Sequence, residues 1–133
     1  MKPLELTQSY TDLPEIFYAP VEPTPVKNPK AVMMNDPLAA SLGLDPEWLH
    51  SDAGLAVLSG QTTLPNTQPI AMAYGGHQFG HWAGVLGDGR ALLLGEHQAP
   101  TGDHWDIQLK GAGPTPFSRN GDGRSSIGPV VRE

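Results

Sequence analysis

Proline and glycine divide this chain into two unlike halves, and that division limits what it can fold into. Of its 14 prolines, six fall between Met1 and Lys30, at Pro3, Pro14, Pro20, Pro23, Pro25 and Pro29. Proline fixes φ, lacks an N–H and biases the preceding residue towards extended geometry, so this stretch cannot form a continuous helix. It reads as an extended arm wrapping a surface, with no chemistry of its own. Glycine is distributed the other way: of 16, only Gly43, Gly54 and Gly60 precede Gln61, and the other thirteen lie between Gly75 and Gly128. The C-terminal half is therefore where the backbone turns sharply or makes close approaches.

The 133 residues leave room for one core. Leu, Ile, Val and Phe make up 29 of them, just above the roughly one-fifth below which chains stay unfolded, so that core must be thin. Asp36-Pro37 supplies a cap and a first-turn proline for a helix from Pro37 to Leu42, stopped by Gly43; Asp45-Pro46 opens a second helical stretch ending near Gly60. Both are packing elements. The apolar run Ala91 to Glu96 predicts a buried strand, and Trp105 to Lys110 alternates, with Trp105, Ile107 and Leu109 facing the core and Asp106, Gln108 and Lys110 facing away. HQAPTGDH between them has turn chemistry, so the two strands form an antiparallel hairpin. The fold class is α+β.

With no cysteine, disulfides, thiolate zinc sites and cysteine nucleophiles are excluded. Neither an 18-residue apolar run nor a signal-peptide h-region occurs, so the chain reads as cytoplasmic, without a membrane partner. A net charge of −6 argues against nucleic acid as a partner. Yet residues 107 to 132 carry Lys110, Arg119, Arg124 and Arg132 against Asp122 alone, which marks a local anion site.

Two copies of Gly-Asp-Gly-Arg, at 87–90 and 121–124, put glycines and an arginine where backbone N–H groups and a guanidinium can meet phosphate oxygens. Taken singly, each is equally an ordinary Asp-Gly turn. Lys110 precedes Gly111 and Gly113 at a strand end, which suits a point charge on a phosphate, or else is a solvated lysine. The order is not that of a Walker loop, because the lysine comes before the glycines; a glycine loop, a strand lysine and a helix glutamate instead suggest a kinase-like arrangement. Ser125, Ser126 and Pro129 signal a helix start, and Val130 to Glu133 its first turns, so the terminus reads as a truncation inside an element. His77 and His81 have the spacing of a helical zinc pair, but Gly75, Gly76, Gly80 and Gly84 oppose a helix. His77 and Gln78 are read instead as hydrogen-bonding groups holding a glycine-rich turn against Tyr74, Phe79 and Trp82. No G-x-S-x-G elbow surrounds Ser118, Ser125 or Ser126.

Taken in order, YGGHQFG, LGDGRALLLGE, DIQLKGAGPTPFSR and NGDGR...GPVVRE resemble the N-terminal part of the selenoprotein-O family, bacterial YdiU-type protein adenylyltransferases with a kinase-like fold. The match is detailed from Tyr74 to Glu133 and looser before it. The resemblance implies an incomplete kinase-like N-lobe over residues 61–133, preceded by the arm and short packing helices of residues 1–60. It implies ATP bound between two lobes in reversed orientation, and transfer of AMP, or UMP, to Ser, Thr or Tyr hydroxyls of proteins. Gly87, Gly89 and Arg90 match the first nucleotide loop, Lys110 the strand lysine, Asp122 and Gly123 further nucleotide contacts, and Glu133 the glutamate paired with the lysine. The catalytic aspartate and the ligands of Mg2+ or Mn2+ would lie beyond Glu133. The fragment alone is then expected to be inactive, the alternatives being a non-catalytic scaffold piece or a histidine-based zinc module.

Overall fold

A computed structural model describes residues 1–133. The fold is α+β, built on a five-stranded antiparallel sheet: β1 (Tyr18–Pro20), β2 (Ile70–Gln78), β3 (His81–Gly87), β4 (Ala91–Gln98) and β5 (His104–Lys110). The strand order is β1-β2-β4-β5, and β3 pairs with β2. Helices α1 (Asp36–Ser41), α2 (Pro46–Leu49) and α3 (Asp52–Leu58) lie between β1 and β2 in sequence, and α4 (Ile127–Arg132) ends the chain.

The β4–β5 hairpin forms as its alternating pattern requires, with Leu92 opposite Leu109 and Ala91 opposite Lys110. A bulge between Leu93 and Gly95 shifts the register, and Leu92 to Gly95 are all buried. β4 is flanked by β2 and β5 and has no solvent face over this run, which is why its sequence is continuously apolar rather than alternating. On β5 the expected inward face fails at one end. Trp105 is 50% exposed, because it pairs with His97 near the hairpin loop and the core does not extend that far.

The proline-rich arm is more than a wrapping. Its Tyr18–Pro20 becomes an edge strand on β2, a position where a proline without an N–H is tolerated. Thr7 exchanges two backbone hydrogen bonds with Glu96, of 3.0 and 2.7 Å, and Leu4 is buried. Gly95 is required at that crossing: its φ is +148°, and a Cβ would lie 2.5 Å from the Thr7 carbonyl oxygen.

The stops at Gly43 and near Gly60 are where the sequence puts them, while one start differs and the second helical stretch is broken in the middle. Asn35, not Asp36, caps α1, its Oδ1 accepting from Leu38 N at 3.1 Å. Asp45 caps α2 through Glu47 N at 2.9 Å. The second helical stretch is two helices, because Ser51 opens a new cap on Gly54 N at 3.1 Å and breaks the run. Leu4, Ala39, Trp48, Val57, Ala71, Leu92 and Leu109 belong to one hydrophobic cluster, so the arm, the helices and the sheet share a core.

The largest departure from expectation lies at residues 70–87. The anticipated glycine-rich turn is the hairpin β2–β3, closed by Phe79 and Gly80 alone, with Gln78 opposite His81. Both turn residues have positive φ, +52° and +78°, the geometry of a type I′ turn. Phe79 is 97% exposed and packs against nothing, contrary to its expected role.

Candidate functional site

The connection from β3 to β4 and the loop after β5 enclose a cavity of about 460 Å3. Gly87, Gly89 and Arg90 of the first Gly-Asp-Gly-Arg copy line it, and so do Gly121, Asp122 and Gly123 of the second. Two segments separated in sequence by the whole β4–β5 hairpin thus meet at one site. Tyr74, Val85 and Phe117 give it an apolar side.

The first copy is not a hairpin turn, since β3 and β4 do not pair with each other. Asp88 ties it to β2 instead: its N–H donates to the Met72 carbonyl at 2.9 Å and its carboxylate accepts from Met72 N at 3.1 Å. Burial pushes the Asp88 carboxyl above its ordinary range, opposed by that Met72 hydrogen bond. The loop after β5 is held to this connection by two hydroxyls. Thr115 donates to the Asp88 carbonyl, and Ser118 donates to the Gly89 carbonyl at 2.6 Å. In the second copy, Asp122 Oδ1 accepts from Arg124 N at 2.9 Å, closing a local side-chain turn.

The glycines have a packing reason as well as a chemical one. A Cβ on Gly87 would fall 2.5 to 2.7 Å from ring carbons of Phe117, and one on Gly89 would fall 2.9 Å from the Phe117 carbonyl oxygen. Gly123, at φ +66°, lies against the Gly113 carbonyl. Their side-chain positions therefore face protein, and what they can offer a ligand is backbone N–H. The N–H groups of Gly89, Arg90, Arg119, Asp122 and Gly123 have no intramolecular acceptor. Around a cavity, unpaired N–H donors and guanidiniums favour an anion.

Lys110 does not line this cavity. It lies in a neighbouring groove of about 360 Å3 with Lys30, Gly111 and Arg124. The two are adjacent through the backbone, because Gly111 N donates to the Arg90 carbonyl at 2.7 Å. Lys110 Nζ is ion-paired with Glu133, at the end of α4. Arg124 is spent on structure, donating to the carbonyls of Gly111 (3.2 Å) and Thr24 (3.1 Å) and so fastening the loop to the arm.

His77 and His81 do not converge. They sit at successive cross-strand pairs of the ribbon, His77 opposite Trp82 and His81 opposite Gln78, and so point to opposite faces. The His77 ring meets Trp82 edge-on at 5.1 Å, and no three His, Asp or Glu side chains gather as a metal site. Gln78 is the residue whose part in the cavity sequence reasoning missed; once the ribbon is paired, it comes within 3.5 Å of Arg119 Nη1.

The sequence that builds this fold and its two-loop cavity matches a family of nucleotidyltransferases. The family profile described as "Protein adenylyltransferase SelO" matches residues 1–133, and the chain belongs to that family. Among its relatives, the protein nucleotidyltransferase YdiU of Bacillus mycoides (strain KBAB4) is 55% identical over 128 residues, which is 96% of this chain and 26% of that protein. The protein nucleotidyltransferase YdiU of Alkaliphilus metalliredigens (strain QYMF) is 56% identical over the same shares. The chain thus spans about a quarter of the length of the curated relatives it matches.

Proposed function

We propose that this chain supplies the nucleotide-holding part of a protein adenylyltransferase, an incomplete kinase-like N-lobe that works with sequence corresponding to the rest of its relatives. The observation that carries the reading is the meeting of both Gly-Asp-Gly-Arg copies at one cavity with Arg90 and a set of unpaired N–H donors. ATP is the ligand: Gly87, Gly89, Arg90, Asp122 and Gly123 contact it from the cavity, and Lys110, steadied by Glu133, approaches from the adjoining groove. In the transfer, a Ser, Thr or Tyr hydroxyl oxygen of a protein bonds to the α-phosphorus and gives up its proton to a base outside this chain, the bond from the α-phosphorus to the bridging oxygen breaks, and pyrophosphate leaves with that oxygen. Cations fixed before the reaction stabilise the charge that builds on the departing group.

The residues present do not make a metal site, since Asp122 is the one carboxylate lining the cavity. Mg2+ or Mn2+ would be held by the phosphates and by carboxylate or amide groups outside this chain. The packing of Gly87 and Gly89 against Phe117 favours a second reading, a scaffold whose glycines serve turns alone.

The test is a chimera in which this sequence replaces the matching 128-residue stretch of the Bacillus mycoides relative. Labelled ATP or UTP is supplied with protein acceptors. The adenylyltransferase reading predicts AMP transfer from ATP that falls sharply with Lys110→Ala. Undiminished labelling by the variant removes the role of Lys110, and no labelling by the parent chimera, alongside an active relative, favours the scaffold.

A further inference from the structure

Arg119 lines the same cavity as Arg90, on the opposite segment. Neither guanidinium has a carboxylate partner: the ion pairs of the fold involve the N-terminus, Lys2, His50 and Lys110. The one polar contact of Arg119's side chain is a 3.5 Å approach of Nη1 to Gln78 Oε1. Asp122, the cavity's one carboxylate, already accepts the Arg124 N–H. Two cations beside one cavity repel each other unless an anion lies between them.

The backbone holds Arg119 there at a cost. Arg119 and Asn120 have φ of +50° and +69°, two successive non-glycine residues in the left-handed region. Such strain persists where the surroundings over-determine it. Here they do. Ser118 is fastened to the Gly89 carbonyl, Thr115 to the Asp88 carbonyl, and Gly121 N donates to Ser118 O at 2.8 Å. Arg119 is thereby fixed to the very connection that carries Arg90, whereas Arg124 is committed to backbone carbonyls.

We infer that Arg119 is a second polyphosphate-binding cation of the cavity, acting across from Arg90 on the phosphates of the nucleotide, an inference that rests on the nucleotide reading of this site. A planar guanidinium can donate two parallel hydrogen bonds to phosphate oxygens. Gln78, a neutral acceptor, holds it in place until phosphate displaces the contact.

The test is titration calorimetry of the chimera with the Bacillus mycoides relative, at low salt, with Mg-ATP, inorganic triphosphate and adenosine, for the parent chimera and for its Arg119→Asn and Arg119→Lys forms. Asparagine removes the charge and suits the left-handed backbone, so the fold is spared. Arg119→Asn weakens Mg-ATP and triphosphate by the same factor, about tenfold or more, and leaves adenosine unchanged; lysine restores part of the loss. Equal Mg-ATP affinity of parent and Arg119→Asn overturns the role of Arg119 while the cavity remains a nucleotide site. A matching loss for adenosine overturns it too, because the residue then shapes the loop. No Mg-ATP binding by the parent removes the nucleotide reading, and this inference with it.

Discussion

Gly87→Ala tests whether the first glycine of the cavity is required by packing. Its φ lies outside the left-handed region, so alanine meets no backbone strain and the effect isolates the contact. The new Cβ would sit 2.5 Å from Phe117 Cδ2 and 2.7 Å from Cδ1, against an optimum of about 3.5–4.0 Å between carbons, so the ring must retreat by about 1 Å. Overpacking of this kind costs about 1–3 kcal/mol. The lower entropy of the unfolded alanine chain offsets about 0.4–1 kcal/mol, so the middle of each range, about 2 less about 0.7 kcal/mol, leaves a net loss of roughly 1.3 kcal/mol. At about 4 °C per kcal/mol for a chain of this size, Tm falls by roughly 5 °C. Urea unfolding followed by tryptophan fluorescence reads this, because Trp48 is buried in the core. Phe117→Leu in the same molecule should make the two losses sub-additive by at least about 0.5 kcal/mol, since the clash disappears with the ring. Gly128→Ala is the control: its Cβ meets nothing within 4 Å and it lies in α4, so stability holds or rises. A neutral Gly87→Ala, or strict additivity with Phe117→Leu, refutes the packing account.

Phe79→Asn should stabilise the chain by about 1 kcal/mol, read as a higher urea midpoint, because Phe79 is exposed, unpacked and at φ +52°, and Asn-Gly suits a type I′ turn; a lower midpoint would show that the ring makes a contact. Asp88→Asn should flatten stability against pH. The folded carboxyl keeps its proton above the ordinary 3.8, so the folded state binds more protons than the unfolded one from 3.8 upward, and the parent loses stability as pH rises through that window. The asparagine oxygen can still accept from Met72 N, so the variant gains on the parent towards neutral pH; parallel curves from unfolding at several pH values would contradict this.

What the sequence could disclose depended on how local each signal was. The β4–β5 hairpin was legible because its apolar run, alternation and turn all lie in the one short stretch from Ala91 to Lys110. The β2–β3 ribbon was not, because Gly75, Gly76, Gly80 and Gly84 depress strand propensity, and its turn relies on a phenylalanine in a conformation that phenylalanine rarely takes. The Asn35 cap was missed since Asp36-Pro37 carries an equally good local signal one residue later. Charge asymmetry pointed to the last third of the chain, and Arg119 was counted there. Its difference from Arg124 arises from contacts to Thr24 and Gly111, long-range geometry that no local pattern encodes. Lys110 stood beside the motifs in sequence, yet in space it occupies the adjoining groove, because alternation along β5 sends it away from the core and α4 brings Glu133 to meet it.

The most direct measurement is an amide-resolved NMR titration of the 15N-labelled chain with Mg-ATP, which also registers millimolar binding. The N–H signals of Gly89, Arg90, Arg119, Asp122 and Gly123 should shift together and saturate, while those of Lys2 to Thr7 and of His97, around the separate pocket beneath the arm, stay in place. Shifts confined to that other pocket, or none at all at millimolar nucleotide, would contradict the assignment of the two-loop cavity to ATP.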